Sequence, residues 1–216
     1  MLRNFNILHM ILMIPAILIG FTFHEYAHAV VADRLGDKTP RFQGRLTLNP
    51  INHIDPIGFI MILIVGFGWA KPVQVNPSAF KNYYKDDLKV SLAGPIANLL
   101  VAISSALILA LFMIFVKFTD GNKITSIITL IINYMIHINV MLFFLNLMPI
   151  PGFDGFHIIR DLFPSKFYKY ADTIHRYQNI ILIIFIVSPI VDYLVGMPTA
   201  YLTKKLILFA FKITGL

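Results

Sequence analysis

FNILHMILMIPAILIGFTFHEYAHAVVA, Phe5 to Ala32, is an apolar run of membrane-spanning length that carries H-E-Y-A-H from His24 to His28. About 20 predominantly apolar residues suffice for a transmembrane helix. On that helix His24 and His28 are four residues apart and share a face. Two imidazoles so placed can share a zinc ion, and Glu25, rotated by about 100° from His24, can act on the water that such an ion activates. Ionisable groups at membrane depth are costly and mark functional sites by default. Asp33, Arg34 and Asp37 mark the exit into water, about 12 Å of helix rise beyond Glu25. The motif therefore lies inside the bilayer, close to one surface.

The rest of the chain agrees with a membrane setting. Of its 216 residues 57% are hydrophobic and only 13% charged, which is too apolar and too poor in charge for an ordinary soluble domain of this length. The net charge of +7 does not indicate nucleic acid, because the basic residues form no arginine-rich groove with interleaved aromatics. There is no cysteine, so disulfides are excluded and a zinc site must use nitrogen and oxygen ligands. The first run follows Arg3, but its length and the lack of a small-residue cleavage site argue against a signal peptide.

Further spans are expected at Leu88 to Val116, Ile124 to Met148 and Gln178 to Gly196, the last interrupted by Pro189 and Asp192. Tyr201 to Leu216 is marginal and can cross with Lys204 and Lys205 snorkelling, or lie in the interface. Between the first two full spans, Ile57 to Gly68 is too short to cross comfortably. Its flanks alternate apolar and polar residues: Phe42, Gly44, Leu46 and Leu48 on one side, Val73 and Val75 on the other. Alternation of period two reads as short strands, hence a re-entrant β element whose edge, Phe42 to Asn49, can pair with an extended substrate. An ordinary loop with an interfacial helix is the alternative. The expected fold is thus an all-α polytopic membrane protein of about five to six transmembrane helices with one short β element. It forms one domain over 1–216, with a core over about 5–160 and C-terminal spans over about 178–216.

A zinc ion held by two histidines needs a third protein ligand and an open position. At the end of the third expected span the chain reads N-L-M-P-I-P-G-F-D-G, Asn146 to Gly155. Pro149 and Pro151 cannot continue a regular helix. The unwound stretch can turn Asp154 back toward the histidines, with Asn146 deeper and able to hydrogen-bond a substrate carbonyl. Asp154 read as a plain turn aspartate is the bland alternative. Gly94, Pro95 and Ala97 read as close-packing and kink residues. Asn98 reads either as a substrate contact or as a helix-packing residue. His53, between two prolines, reads as a solvated loop histidine, and His9, His137, His157 and His175 have no partner at ligand spacing.

These blocks resemble one family. HEYAH matches the H-E-x-x-H of the site-2 protease family of intramembrane zinc metalloproteases, and Asn146 to Gly155 matches that family's N-x-x-P-x-P-x-x-D-G at every fixed position. Gly44 to Gly58 resembles its post-motif region and Ser91 to Asn98 its intermediate span, so the resemblance runs from about residue 15 to 160 in family order. It departs from many relatives in having no room for a PDZ or CBS domain. The resemblance implies one zinc per chain on His24, His28 and Asp154, Glu25 as general base, and Asn146 and Asn98 toward the oxyanion or substrate. The implied partners are a transmembrane protein substrate and the lipid bilayer, with no nucleic acid and with room for a homo-oligomer. The alternatives are a metal-ion transporter, which needs no Glu beside the ligands, and a non-catalytic membrane adaptor, which would have lost Glu25 or a ligand.

Lysine and arginine set the orientation. Eight fall between Ala32 and Lys89, counting Lys89, and Arg160, Lys166, Lys169 and Arg176 follow between Pro149 and Tyr177. The other side holds Arg3, Lys117 and Lys123. Basic loops stay in the cytoplasm. The expected location is therefore a prokaryotic cell membrane with the site near the cytoplasmic face. Because the chain lacks cysteine, single-cysteine labelling is clean: Lys38→Cys and Lys166→Cys should react only from the cytoplasm, and Asp120→Cys only from outside. An outside label at Lys38 would reverse this orientation.

Overall fold

The computed structural model describes residues 7–66, 68–116 and 122–215. Eight α-helices order the chain: α1 (Ile7–Leu35), α2 (Thr39–Phe42), α3 (Pro56–Val65), α4 (Tyr83–Phe115), α5 (Lys123–Asn146), α6 (Asp154–Leu162), α7 (Pro164–Val187) and α8 (Met197–Thr214). Four segments are long and apolar enough to cross a membrane: α1, α4, α5 and Asp192–Thr214, in which a π turn at Asp192–Gly196 runs on into α8. Exposed Leu107, Ile108, Leu111 and Ile114 on α4, and Ile180, Ile183 and Ile184 on α7, form apolar surface of a kind that water tolerates poorly. This is an integral membrane architecture.

The centre of the bundle is α4. One stripe of it reads Gly94, Asn98, Ala102, Ala106, Ala110, a small or amide side chain at every fourth residue. Small side chains let helix backbones approach closely, which matters in lipid because burial of apolar surface there gives little drive to associate. Ala102, Ala106, Leu109, Ala110 and Met113 pack against Ile132, Ile136 and Val140 of α5 and Ala210 of α8. A second cluster joins Ala16 and Ile17 of α1 to Ile138 and Leu142 of α5. Helix α4 runs antiparallel to α1, so its first half meets the end of α1 that carries the histidine motif.

Among the described residues four helical segments are long and apolar enough to span, against the five to six expected, and the C-terminal boundaries move. The chain breaks at Ser188 because Pro189 cannot extend α7; Ser188 is extended, and helix resumes at Ile190 and runs into the π turn. The proposed Gln178 to Gly196 span is therefore divided. Its first part completes α7, whose N-terminal half is charged, and its last residues join α8.

No β-strand occurs among the described residues, only an isolated antiparallel bridge between Ile54 and Ala70. The alternating pattern from Phe42 to Asn49 misled for a local reason. Phe42, Gln43, Gly44 and Arg45 donate their amides back to Lys38, Thr39, Arg41 and Pro40, and Gly44 takes φ +66°, so the segment is a helical turn and its release. Between α3 and the next helical turn, residues 68–76 instead run irregular and extended, without a neighbouring strand. This strap passes so close to α3 that a Cβ on Gly68 would lie 2.0 Å from the Gly58 carbonyl oxygen. Arg3, Lys117 and Asp120, on which the orientation argument partly rests, lie outside the described residues.

Candidate metal centre

Three ligand-type atoms converge at the end of α1. His24 Nε2 and His28 Nε2 are 3.0 Å apart, and Asp154 Oδ2 lies 3.2 Å from the first and 3.3 Å from the second. Both histidines are buried, and Asp154 is 17% exposed at its side chain. Asp154 arrives because α5 stops at Asn146 and the chain turns through Pro149 and Pro151 before Asp154 opens α6. Gly155 makes this turn sterically feasible: a Cβ there would lie 2.3 Å from the Leu147 carbonyl oxygen and 2.4 Å from that of Met148.

The outer nitrogens of the imidazoles decide what the inner ones can do. His28 Nδ1 lies 2.7 Å from the carbonyl oxygen of Val90, which can only accept, so Nδ1 carries the proton. His24 Nδ1 lies 2.8 Å from Asn98 Oδ1. The orientation of that amide is forced in turn. Asn98 Nδ2 donates to the Gly20 carbonyl at 2.9 Å and to Asn139 Oδ1 at 3.1 Å, while Asn139 Nδ2 donates to the Met135 carbonyl at 2.9 Å. His24 Nδ1 must therefore donate as well. With each Nδ1 committed, Nε2 is the atom that a neutral imidazole offers as a lone pair, and on both rings it faces Asp154 Oδ2, a buried oxygen. Three mutually repelling acceptors are stable in this arrangement if a cation sits among them.

The dimensions fit a small one. Tetrahedral sites with bonds of about 2.0–2.1 Å have ligand-to-ligand edges of about 3.3 Å, close to the three distances given above. Gly94 leaves the space on the α4 side, since a Cβ there would lie 2.4 Å from His28 Nε2 and 2.7 Å from His24 Nε2. Among the described residues, His24, His28 and Asp154 are the group of side chains that could hold a metal ion.

Glu25 is also buried, and its Oε2 accepts the Val73 amide of the strap at 2.8 Å. The strap is itself fixed. Asp37 Oδ2 accepts from the Asn76 amide at 2.7 Å, and buried Arg45 donates to the carbonyls of Asn52, Lys71 and Pro72, the last at 2.8 Å. Burial pushes the Arg45 guanidinium below its ordinary pKa, against the pull of Glu25, and the group stays a cation. His53 is not the solvated loop residue expected from its flanking prolines. It is fully buried behind Arg45, donates through Nε2 to the Thr47 carbonyl at 2.7 Å, and is pushed by burial below the usual imidazole range.

His24 and Glu25 open onto a cavity of about 500 Å³, lined also by Ile17, Asn146, Trp69 and Leu182. Asn146 uses Nδ2 to donate to Leu142 at 3.0 Å and keeps one amide hydrogen for the cavity. Asn98 does not line the cavity. It is fully buried behind His24, to which it is hydrogen-bonded. Asn139 and Val90 were not singled out in the sequence. An Asn within an apolar helix was the available signal for the first; a backbone carbonyl leaves none for the second.

A protein of Bacillus subtilis (strain 168) named "Putative zinc metalloprotease YwhC" is 38% identical over 187 residues, which are 84% of this chain and 82% of that one. The chain belongs to Peptidase family M50. Residues 112–189 match that family directly, a stretch that includes Asp154. "Putative zinc metalloprotease MJ0611" of Methanocaldococcus jannaschii is 30% identical over 162 residues, 73% of each chain. "Putative zinc metalloprotease Rip2" of Mycolicibacterium smegmatis is 27% identical over 184 residues, 83% of this chain and 68% of its own. No solved structure matches. The M50 chain is thus a zinc metalloprotease of the site-2 protease family, with bacterial and archaeal relatives.

For this M50 chain the steric role of Gly94 gives a direct test. Gly94→Ala suits helix α4 but drives a methyl group into both imidazoles. Zinc affinity should fall by roughly 10- to 100-fold, the range seen when groups around a metal site are disturbed, while circular dichroism stays unchanged. Full zinc occupancy in a folded Gly94→Ala protein would remove Gly94 from the centre.

Proposed function

We propose that this chain is an intramembrane endopeptidase that hydrolyses peptide bonds in or near transmembrane segments of other proteins, with one zinc ion per chain on His24, His28 and Asp154. The observation that carries the reading is the convergence of His24 Nε2, His28 Nε2 and Asp154 Oδ2 beside Glu25 at the wall of an apolar cavity. Zinc bound there supplies Lewis acidity, making water ionise near neutral pH and polarising a peptide carbonyl.

The protein's own groups supply the rest. Glu25 is held by the Val73 amide through Oε2, which leaves Oε1 to take the proton of the attacking water. The water oxygen adds to the scissile carbonyl carbon, and the carbon–nitrogen bond breaks. Glu25 returns its proton to the departing amine, giving a carboxylate and a new amino terminus. Asn146 donates its remaining amide hydrogen to the carbonyl oxygen as charge develops there. The apolar lining from Ile17, Leu142 and Leu182 suits a hydrophobic segment and excludes bulk water. A helical substrate must unwind to expose its carbonyls, so helix-weakening residues near the cut favour cleavage.

Two features favour hydrolysis over metal transport. A transporter has no use for a carboxylate held beside the ligands, and the other half of the bundle interior, from Ala102 to Met113 of α4, is packed with apolar side chains. The cell membrane is the proposed location, with the site toward the cytoplasm, the side of the basic loops.

Glu25→Gln keeps shape and loses the base. Turnover of a membrane substrate should drop by roughly 10²- to 10⁴-fold while the protein still binds about one zinc, and uncut membrane proteins should accumulate in cells carrying the variant. His24→Ala and His28→Ala should each abolish zinc binding. Normal cleavage by Glu25→Gln, or stoichiometric zinc in both histidine variants, would overturn the assignment.

A further inference from the structure

Asp154 reaches the two histidines only because α6 lies where it does, and α6 is nine residues long. A helix so short does not hold itself in place. Its buried Phe156 turns toward Phe167 and Ala171 of α7, away from the metal centre. Gly155 abuts the end of α5 but, having no side chain, grips nothing. Helix α6 packs closely on α4, and the ion pair that joins the two is made by Arg160. Its Nη2 pairs with Asp87 Oδ2 on the first turns of α4, and its Nε donates to Asp161 Oδ1 at 2.8 Å. The three side chains are 14%, 8% and 0% exposed.

Asp87 stands on the helix that already holds both histidines. Its neighbour one turn on, Val90, accepts from His28, and Asn98 accepts from His24. We propose that Asp87 and Arg160 are positioning residues for the metal centre, forming an ion-pair latch that fixes α6 on α4 and so sets Asp154 against His24 and His28. The inference rests on the zinc reading given above. Through it one helix places all three ligands, two by direct hydrogen bonds and the third at about 9 Å of helix rise from Asp154 to Arg160.

The chemistry of the latch is specific. One guanidinium serves two buried carboxylates at once, which its planar fork allows and a lysine ammonium, a single point charge, does not. Removing the cation would leave two carboxylates facing each other out of water, a strongly unfavourable arrangement that α6 can escape by swinging away. The neighbouring Asp86–Lys89 pair, 2.7 Å apart with Lys89 59% exposed, lies within α4 and does not touch α6.

The chain's lack of cysteine allows spin labels at Lys85→Cys on α4 and Leu162→Cys on α6, both exposed. In metal-free protein, Arg160→Gln should broaden the distance between the labels, and in loaded protein it should speed zinc release to a chelator by roughly 10- to 100-fold. Arg160→Lys should fall between, and the exchange Asp87→Arg with Arg160→Asp should recover most of both signals. Lys89→Gln should change neither. If Arg160→Gln fails to fold, Arg160→Lys and the exchanged pair carry the comparison. Unchanged distances, or broadened distances with wild-type zinc release, would overturn the latch. Wild-type protein that takes up no zinc would overturn the zinc reading instead, and the metal-free distances would still decide whether the latch holds α6.

Discussion

His24 and His28 are held from behind, and everything at the site depends on that restraint. Val90 offers a carbonyl that can only accept, and Asn98 offers an amide oxygen whose orientation is set by Gly20 and Asn139. Each ring must spend its proton on the outer side. The inner nitrogens are left facing each other and the Asp154 carboxylate. Rotation of either ring would break its outer hydrogen bond, and a divalent cation is the natural complement of the three groups that meet inside.

The same economy governs the surroundings. Because lipid gives helices little reason to associate, α4 meets α1 and α5 through small side chains and through a buried amide network. Asn98 and Asn139 both hold the helices together and fix a ring orientation, so packing and site geometry are one arrangement here. The strap over residues 68–76 is treated similarly. With no strand beside it, its carbonyls are taken up by Arg45 and its amides by Asp37 and Glu25. A catalytic carboxylate is thereby steadied by backbone, and that backbone is steadied by a buried cation.

Buried charged groups sit toward one end of the bundle, while the other end buries apolar side chains and a few uncharged polar ones such as Ser105 and Thr125. Asp37, Arg45, His53, Asp87, Arg160 and Asp161 surround the end of α1 that carries the motif, while the opposite half of α4 packs alanine, leucine and methionine against α5 and α8. A hydrolytic site needs water and proton exchange on one side only. The asymmetry of charge meets that need.

The sequence by itself determined the membrane setting, because apolar runs of spanning length admit no other solvent, and it determined the ligand types, because H-E-x-x-H on a helix puts two imidazoles on one face whatever the helix packs against. It also marked Asp154, since two prolines must end a helix. Tertiary structure alone decided what those residues face. The alternation from Phe42 to Asn49 reads as a strand until Arg45 is seen turned inward to the carbonyls of another segment, a contact that no local period encodes. His53 reads as solvated until the strap closes over it, and Asn98 reads equally as a substrate contact or a helix-packing residue until α4 is seen to lay it against His24. The boundaries of the C-terminal helices also came from the structure, because hydropathy counts apolar residues and Pro189 shifts where a helix made of them begins. Local periodicity fixes which residue types share a face; hydrogen-bond donors and acceptors brought from distant segments fix which of their atoms stay free to do chemistry.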